Sequence, residues 1–435
     1  MTQSFKKVIE NCVCGHKHQC SIQDVVIGKD ALQQVPTLLK NIRKVLIVSD
    51  GNTRPLAFEK VTSSLATAGI SWCEAYFDQT NVVIPNEASV SFILGNTASD
   101  VEALVGIGSG VISDLCKYSS HKLGLPYMII ATAPSMDGYA SAGAAMILDG
   151  MKVTPTAHVP AWIVGDVDIL KDAPMNMIRA GIGDILGKYS CLNDWRLANT
   201  ILDEPLCPWV YDLVMAEVKN CAGNITGCMA RDPHAIGDLM NSLVMIGVAM
   251  AYVGNSRPAS GSEHHLSHYF EITGIIHNRS YLDHGIDVAY SAILTAHLRS
   301  LLADAAPASF TWNARGGEWE EDIDRVYASL APEVKRLQNE AGFYDTNRIQ
   351  LIRQKWPEIK AVLMEAPSRS EMEQLLECAG YHVAKFVDFY MEDVIRTGIE
   401  YAKDLKNRYT LLNLLQDVGL IHRFASQMQL LADRN

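Results

Sequence analysis

Apolar runs and helical patterns alternate along the first 175 residues of the chain. The run 45–48 ends in the polar turn Ser49–Thr53, and a helical pattern over Leu56–Ala68 separates it from a second strand pattern, Ile70–Phe77. Three further strands are predicted at Leu104–Gly108, Tyr127–Thr132 and Ala161–Asp166. Strands that are apolar throughout are typical of a parallel sheet covered on both faces. The pattern therefore predicts an α/β domain, in which ligands bind at the carboxyl ends of the strands.

The pattern changes near residue 175. From there on, apolar residues recur at the three- and four-residue spacing of amphipathic helices. Helices are predicted at Met175–Tyr189, Cys191–Leu202, Pro208–Ala222, Ala235–Val253, Val288–Ala303, Trp319–Asn339, Ser368–Ala379, Asp388–Lys406 and Thr410–Leu415. We therefore predict two domains, an α/β domain over residues 1–175 and an all-α domain over residues 176–435.

Composition and charge exclude several classes of protein. The 435 residues are 48% hydrophobic and 20% charged, which is typical of a globular protein. A net charge of −12 argues against nucleic acid as the main partner. We expect no membrane span, because the best apolar run, Leu243–Val253, falls short of the roughly 18 residues required. Ten scattered cysteines, and an N-terminus without the apolar core of a secretory signal, predict a reducing cytoplasm.

The stretch Ser260–Gly285 holds five of the thirteen histidines. On a helix, His264 and His268 share one face because they are four residues apart. His284 follows sixteen residues after His268, and Asp184 lies among small and apolar residues, where an isolated charge needs a partner. Two imidazoles and a carboxylate suit zinc, nickel or ferrous iron alike and leave positions open for catalysis. The alternative is a polar helix end with surface histidines and a solvent-facing aspartate.

A glycine turn follows the third predicted strand. Gly106, Gly108 and Gly110 form a GxGxG pattern, and a helix is predicted after it, ending at Gly124. Such a turn lets a pyrophosphate approach the backbone and the helix N-terminus, although the pattern differs from the GxGxxG fingerprint of a Rossmann fold. After the next strand, Thr132–Ser141 brings hydroxyls and a carboxylate to a strand end, either to hold a small polyol or sugar, or as a capping loop.

A dense group of cysteines and histidines lies near the N-terminus. It reads Cys12-Val-Cys14-Gly-His16-Lys-His18-Gln-Cys20 and offers enough ligands for a structural zinc ion. The CxC spacing is tighter than the usual CxxC, and no second ligand pair follows at a finger-like distance. The alternative is an exposed, redox-sensitive β-hairpin.

Together these motifs resemble the dehydroquinate-synthase-like superfamily, which includes iron-type alcohol dehydrogenases, glycerol dehydrogenases and dehydroquinate synthases. The resemblance spans roughly residues 20–400 and rests on the ordered segments Gly106–Asp114, Thr132–Ser141, Gly183-Asp184, Ser260–His268 and His284-Gly285. Within the superfamily, residues 132–141 and 260–268 most resemble the sn-glycerol-1-phosphate dehydrogenase family, particularly its bacterial branch. The archaeal members carry a histidine where this chain has Met136.

The resemblance implies a dehydroquinate-synthase-like fold, with a nucleotide-binding domain over residues 1–175 and a metal- and substrate-binding domain over residues 176–435. It implies metal ligands at Asp184, His264 and His284, where a one-residue shift would substitute His265 for His264. It implies substrate contacts at Asp137, Asp184 and His268, with Asp137 and His268 in the catalytic machinery. The implied cofactor contacts are Asp50, Gly110, Val111, Ile112, Ser113, Asp114, Thr132, Ala133, Pro134, Ser135 and Ser141.

The implied reaction is reversible reduction of dihydroxyacetone phosphate, a small phosphorylated three-carbon substrate, to sn-glycerol 1-phosphate. The implied cofactors are NAD, with NADP possible, and one divalent ion of zinc, nickel or iron; the family suggests a homodimer. An acid at Asp50 favours NAD because it repels a 2′-phosphate, and Lys188 and Arg257 are the candidate cations for the substrate phosphate. The alternatives are a glycerol or polyol dehydrogenase, a dehydroquinate-synthase-like cyclase, and a metal or nucleotide sensor on an inactive scaffold.

Overall fold

The computed structural model describes residues 2–3, 9–79, 81–149, 151–312 and 318–427. The chain divides into two compact units. Unit 1 comprises Met1–Gly181 and Lys219–Asn255, and unit 2 comprises Ile182–Val218 and Ser256–Asn435.

A parallel sheet forms the centre of unit 1. The strands of the chain are β1 Thr2–Gln3, β2 Asp24–Gly28, β3 Lys44–Asp50, β4 Ser71–Phe77, β5 Ala103–Gly108, β6 Tyr127–Ala131, β7 Met146–Leu148, β8 Met151–Val153 and β9 Trp162–Asp166. Seven of them are ordered β1-β2-β9-β6-β5-β3-β4, and only the β1–β2 pair is antiparallel; β7 and β8 form a separate hairpin. Every residue of β5, β6 and β9 is buried, as expected for parallel strands covered on both faces.

The direction of the chain across the sheet reverses beside β3. From β3 the chain adds β4 on one side, then returns to place β5 on the other side of β3. Ligands of open α/β sheets bind at such a switch point, outside the carboxyl ends of the strands. Asp50 ends β3 and Gly108 ends β5, so two of the predicted cofactor segments lie at this point.

Helices follow the strands and make up most of unit 2. They are α1 Val35–Leu38, α2 Arg54–Thr67, α3 Glu87–Gly95, α4 Gly110–Leu123, α5 Val167–Leu170, α6 Met175–Leu202, α7 Pro208–Met229, α8 Pro233–Val253, α9 Ser262–Ile276, α10 His284–Ala303, α11 Trp319–Tyr327, α12 Ala331–Ala341, α13 Ile349–Gln354, α14 Trp356–Leu363, α15 Arg369–Cys378, α16 Val383–Tyr390, α17 Glu392–Tyr401, α18 Leu411–Asp417 and α19 Ile421–Ala425. The predicted fold class, an α/β region followed by an all-α region, is confirmed.

Four of the predicted helices are joined or interrupted in the structure. The two helices expected between residues 175 and 202 form one helix of 28 residues, α6. The single helix expected at Trp319–Asn339 is interrupted at Ala328, whose φ is 43°, and the one expected at Asp388–Lys406 is interrupted at Met391, whose φ is 63°. A positive φ at a residue with a side chain cannot continue a right-handed helix.

The longest apolar helix, α8, corrects the expectation that no apolar stretch is long enough for a membrane span. By length and composition alone, Pro233–Val253 would cross a bilayer. Over half of its most apolar window, 56%, is buried, and it packs within unit 1: a Cβ at Gly247 would lie 2.6 Å from the Cβ of Ala140. The burial and the close contact are those of a core helix. A core helix can be as long and as apolar as a membrane span.

Candidate metal and nucleotide sites

Three side chains from three helices of unit 2 converge on one point. Asp184 of α6, His264 of α9 and His284 of α10 each offer one ligand atom, and these atoms lie within 4.8 Å of one another. Asp184 is fully buried and His264 is 5% exposed. The ring centroids of His264 and His284 are 5.2 Å apart. The structure therefore brings together the three residues that the sequence predicted as metal ligands.

Two glycines of α6 allow α10 to approach closely enough to place His284. A Cβ at Gly183 would lie 2.5 Å from the carbonyl oxygen of Gly285, and a Cβ at Gly187 would lie 2.5 Å from Cγ1 of Val288. Real Cβ atoms do not make contacts this short, so larger residues would push the two helices apart. Since His284 is the first residue of α10, this approach brings its ring beside Asp184.

The charge of Asp184 is compensated inside the fold. Nζ of Lys188, one helical turn later on α6, donates to its Oδ1 over 2.6 Å, and both side chains are fully buried. Burial opposes ionisation of Asp184, but the Lys188 ammonium and a hydrogen bond from His264 outweigh it and hold the pKa of Asp184 below its ordinary value. The carboxylate is therefore ionised at neutral pH, as a metal ligand must be.

A second carboxylate orients His264. Nδ1 of His264 lies 2.7 Å from Oε1 of the fully buried Glu263, and its Nε2 lies 3.5 Å from Oδ1 of Asp184. Burial and the charge of Lys188 oppose protonation of His264, but the hydrogen bonds to Asp184 and Glu263 raise its pKa. A carboxylate behind a ligating imidazole is the usual device for fixing its tautomer and orientation. Glu263 was not among the residues predicted from the sequence, although it immediately precedes His264.

The structure places His264, and not His265, beside Asp184 and His284. His265 is fully buried, and neither of its ring nitrogens has a hydrogen-bond partner among the described residues. Burial lowers the pKa of His265 well below its ordinary value, so the ring is neutral. Successive residues of a helix project about 100° apart, which is why only one of these two neighbours faces the cluster.

His268 lies next to the three converging side chains. Its ring centroid is 5.5 Å from that of His284 and 6.1 Å from that of His264. Together with Glu271 and His284, it also forms a second group of ligand atoms that lie within 4.8 Å of one another. Nδ1 of His284 is 3.3 Å from Oγ of Ser267. The structure therefore places His268, which the resemblance implies as a substrate contact, beside the three predicted metal ligands.

Contacts distant in sequence hold the two histidine-bearing helices. Oδ2 of Asp194 accepts hydrogen bonds from the backbone nitrogen and the hydroxyl of Ser262 over 2.6 and 2.7 Å, at the start of α9. The hydroxyl of Tyr390 donates to Asp287 of α10 over 2.8 Å and accepts from the backbone nitrogen of Leu282 over 3.0 Å. Tyr390, which lies in the last hundred residues, thus supports the segment that carries His284.

The two cations suggested for a substrate phosphate each form an ion pair with a carboxylate of the protein. Lys188 pairs with Asp184, as described above. Nε of Arg257 lies 2.9 Å from Oε1 of Glu204, and its Nη2 donates to the carbonyl oxygens of Asp194 and Tyr409. Both cations therefore compensate charge within unit 2.

In unit 1, the glycine turn leads directly into α4. Ser109 is the N-cap of this 14-residue helix, and within the described chain its side chain makes no capping hydrogen bond. A Cβ at Gly108 would lie 2.5 Å from Cβ of Ile112, so glycine is required for the strand to pass the helix. At Gly110 the nearest such contact is an ordinary 3.5 Å to Met136. An uncapped helix N-terminus at a strand end is a favourable position for a pyrophosphate.

Five predicted cofactor residues lie in α4, but not all of them are available at its N-terminus. Gly110, Val111 and Ile112 form its first turn, and Ser113 is fully buried. The carboxylate of Asp114 instead pairs with Lys117 over 3.2 Å.

A buried lysine that the sequence analysis missed ties α4 to the loop after β6. Lys117 is fully buried, and its Nζ donates to Asp114 and to the carbonyl oxygens of Gly138 and Gly143 over 3.2, 2.9 and 2.8 Å. The hydroxyl of Ser141 lies 3.4 Å from the same nitrogen. Burial raises the pKa of Asp114, although Lys117 opposes this. The loop that carries Asp137 is thus held by one ammonium group.

Asp137 begins a short 3-10 turn, Asp137–Ala140, and is 8% exposed. In the segment before it, Thr132 and Ala133 are buried, and the carbonyl oxygen of Ala133 accepts from the hydroxyl of Tyr139 over 2.7 Å. A Cβ at Gly181 would overlap the carbonyl oxygen of Pro134. The segment Thr132–Ser135 is therefore packed into unit 1, with Ser135 itself half-buried.

Asp50 closes the turn after β3. Its Oδ1 accepts from the backbone nitrogens of Asn52 and Thr53, both over 2.9 Å. The turn therefore fixes one carboxylate oxygen of a half-buried side chain. Asp50 and the start of α4 both lie at the switch point of the sheet.

The chain is similar in sequence to known dehydrogenases. The family model for iron-containing alcohol dehydrogenases matches residues 26–174. The chain is 30% identical over 423 residues to the glycerol-1-phosphate dehydrogenase [NAD(P)+] of Halalkalibacterium halodurans, which covers 96% of this chain and 98% of that protein. It is 29% identical over 429 residues to the enzyme of the same name from Geobacillus thermodenitrificans, covering 97% of this chain and all of that protein.

Solved structures show the same fold at lower sequence identity. A 1,3-propanediol oxidoreductase superposes with a TM-score of 0.62 at 16% identity, over 92% of this chain and 97% of that one. The glycerol dehydrogenase of Schizosaccharomyces pombe superposes with a TM-score of 0.56 at 13% identity, over 94% of this chain and 92% of that one. At these identities the likeness concerns the fold.

Proposed function

This chain belongs to the glycerol-1-phosphate dehydrogenase family, and we propose that its Asp184–His264–His284 cluster is the catalytic metal centre. The enzyme is an NAD(P)-dependent oxidoreductase that interconverts dihydroxyacetone phosphate and sn-glycerol 1-phosphate. The observation that carries the proposal is the convergence of one carboxylate and two imidazoles within 4.8 Å.

The donor set fits a divalent metal ion. Two neutral imidazoles and one ionised carboxylate suit zinc, nickel and ferrous iron, and three protein ligands leave positions open for substrate. The second carboxylate, Glu263, supports one of the imidazoles at 2.7 Å. His268 lies on the same helix as His264, and its ring centroid is 5.5 Å from that of His284.

The start of α4 fits a dinucleotide. Its first turn offers backbone N–H groups that no helix can satisfy internally, and the helix dipole adds partial positive charge there. When bound there, the reduced nicotinamide would supply the hydride for the ketone carbon. The protein supplies the orientation of the two reactants.

Asp184, His264 and His284 would hold the divalent metal, and when bound there it would supply Lewis acidity toward the ketone oxygen. Glu263 keeps Nδ1 of His264 engaged, so that Nε2 faces the cluster. We propose that His268 donates a proton from a ring nitrogen to the substrate oxygen as reduction proceeds, which is the usual role of an imidazole near neutral pH. We further propose that the carboxylate of Asp137 accepts a hydrogen bond from a substrate hydroxyl.

Metal-dependent oxidation of NADH tests the proposed function. The protein is stripped with a chelator and re-supplied with zinc, nickel or ferrous iron, and NADH oxidation is followed with dihydroxyacetone phosphate and with free dihydroxyacetone. We expect turnover only after metal is restored, a higher kcat/KM for the phosphorylated ketone, and the sn-1 enantiomer as product.

The same assay separates the alternatives. Preference for the unphosphorylated ketone, with oxidation of free glycerol, would replace the proposal with a polyol dehydrogenase. Tight NAD binding without steady consumption of NADH would indicate a cyclase that recycles its cofactor. Absence of any turnover in protein that binds both metal and NAD would indicate a sensor.

Cofactor preference is expected to depend on Asp50. The variant Asp50→Asn keeps an oxygen to accept from Asn52 and Thr53, so the turn is retained, but it removes the charge that would repel a 2′-phosphate. We expect wild-type enzyme to prefer NADH, and the variant to shift the ratio of kcat/KM for NADPH over NADH upward by about tenfold, or ~1.4 kcal/mol. An unchanged ratio, measured by steady-state kinetics, would exclude contact between Asp50 and the adenosine ribose.

We further propose that the enzyme is a cytoplasmic homodimer whose product enters phospholipid synthesis. All ten cysteines lie in the described part of the chain, and none forms a disulfide, which is consistent with a reducing compartment. Light scattering after size exclusion gives the mass in solution; the mass of a single 47.8 kDa chain would exclude the dimer.

A further inference from the structure

The cysteine–histidine segment near the N-terminus is folded into a compact turn within unit 1. Ile9 and His18 form an antiparallel bridge, with hydrogen bonds of 2.9 and 3.0 Å between their backbones. Inside it, the backbone nitrogen of Gly15 donates to the carbonyl oxygen of Cys12 over 2.9 Å, and Gly15 has a φ of 78°. Glycine adopts this left-handed conformation without strain. The tight turn brings Cys12 and Cys14 close to His18.

Three soft ligand atoms meet in this turn. The Sγ atoms of Cys12 and Cys14 and a ring nitrogen of His18 all lie within 4.8 Å of one another. Sγ of Cys14 is 3.2 Å from Nε2 of His18. Two ligand atoms of a tetrahedral zinc site are separated by about 3.5 Å, given Zn–S and Zn–N distances of about 2.3 and 2.0 Å. The 3.2 Å between Cys14 and His18 is close to one edge of such a site, and no separation within the group exceeds 4.8 Å.

The orientation of His18 is fixed by a contact to α8. Its Nδ1 lies 2.8 Å from the carbonyl oxygen of Tyr252, and a carbonyl oxygen only accepts hydrogen bonds. Nδ1 therefore carries the proton, and Nε2 presents its lone pair to the two cysteines. The His18 ring is 2% exposed. A backbone carbonyl that holds the distal nitrogen of a histidine is the arrangement that supports ligating imidazoles in metal sites.

We propose that Cys12, Cys14 and His18 bind a structural zinc ion, separate from the catalytic metal. Two thiolates and one imidazole are the ligand types that zinc prefers in structural sites, and one tetrahedral position remains for a further ligand. Since His18 is held by the last turn of α8, the ion fixes the segment 9–20 to that helix. The tight CxC spacing is accommodated because Gly15 lets the chain reverse immediately after the second cysteine.

Cobalt substitution of the full-length protein tests this site. Thiolate ligands give cobalt(II) an intense charge-transfer band in the near ultraviolet, which a site built only from carboxylate and imidazole lacks. We expect this band in the wild type and in Asp184→Asn, which alters only the catalytic cluster. We expect its loss in Cys12→Ser/Cys14→Ser. The matched control is Cys20→Ser, because Cys20 lies in the same segment but outside the ligand group, and it should retain the band.

Zinc content and thiol reactivity provide two further tests of the site. The thiol titration uses wild-type protein, so its result does not depend on whether the double variant folds. In zinc-loaded protein, metal analysis should show one zinc fewer per chain in Cys12→Ser/Cys14→Ser than in Cys20→Ser. Thiol titration of the wild type should expose two further reactive thiols when a chelator removes the zinc. Absence of the cobalt band in wild-type protein, or a zinc content unchanged by the double substitution, would overturn the proposal. Dehydrogenase activity is assayed in parallel, and its presence or absence does not decide this result.

Discussion

The variant Asp184→Asn is expected to lose metal-dependent turnover while remaining folded. Asparagine keeps an oxygen toward Lys188, but it removes the negative charge that a divalent ion requires. Loss of a group that only orients a ligand lowers metal affinity or activity about 10- to 100-fold, so loss of the ligand itself should exceed this range. The measurements are metal content after dialysis and kcat with re-supplied metal.

Three companion variants separate a ligand from a structural ion pair. Glu263→Gln, which affects only the orientation of His264, should fall within the 10- to 100-fold range. Asp184→Asn/Lys188→Met removes the buried cation left without its ionic partner, and should recover stability without recovering turnover. Asp212→Asn changes an exposed aspartate of α7 and should have no effect. Substantial activity in Asp184→Asn, or in the double variant, would exclude Asp184 as a metal ligand.

The variant Lys117→Met is expected to lower the free energy of unfolding by roughly 3–5 kcal/mol, because removal of one partner leaves a buried charge uncompensated. The charge is that of Asp114, and the carbonyl oxygens of Gly138 and Gly143 lose their donor as well. Since these groups hold the loop that carries Asp137, the proposed substrate contact, KM for dihydroxyacetone phosphate should rise together with the loss of stability. Urea unfolding and steady-state kinetics measure the two effects.

This loss of stability should depend on pH. Burial raises the pKa of Asp114 in the folded protein, and removal of Lys117 raises it further. A carboxyl group with a raised pKa in the folded state favours folding below its ordinary pKa of 3.8, and this contribution disappears as pH rises through the raised value. The deficit of Lys117→Met relative to wild type should therefore be smaller near pH 4 than near neutrality.

Two variants serve as references for this experiment. Lys122→Met changes an exposed lysine of the same helix, and it should alter stability by no more than about 0.5 kcal/mol. Asp114→Asn/Lys117→Met removes both charges and should recover part of the loss, as replacement of a whole buried pair often does. If Lys117→Met is no less stable than Lys122→Met, the buried ammonium does not hold the loop.

Local sequence patterns were sufficient to predict much of the fold and the types of residue in the site. The apolar runs at β3, β5, β6 and β9 predicted parallel strands because a strand covered on both faces has no polar side. The spacing of His264 and His268 predicted a shared helix face, since helical periodicity is a property of four consecutive residues. The glycine turn before α4 was also predicted from the sequence, because the close contact that requires glycine is between Gly108 and Ile112, only four residues later.

The tertiary structure decided which residues meet. His264 and His265 differ by one helical step, and only the packing of α9 against α6 and α10 placed the first beside Asp184. The close approach at Gly183 and Gly187 became visible only with α10 in place. The supporting roles of Lys117 and Tyr390 were missed for the same reason. Lys117 contacts Gly138, which is 21 residues away in the sequence, and Tyr390 contacts Asp287, which is 103 residues away.

The sequence by itself therefore determined the elements, their buried faces and the chemical types available for catalysis. It did so because propensity, periodicity and turn chemistry act over a few neighbouring residues. The assembly of the site, its charge compensation by Lys188 and the support of His264 by Glu263 depend on burial and on contacts between separate helices. Those energies arise only when distant segments exclude water together, so the tertiary structure alone decided them.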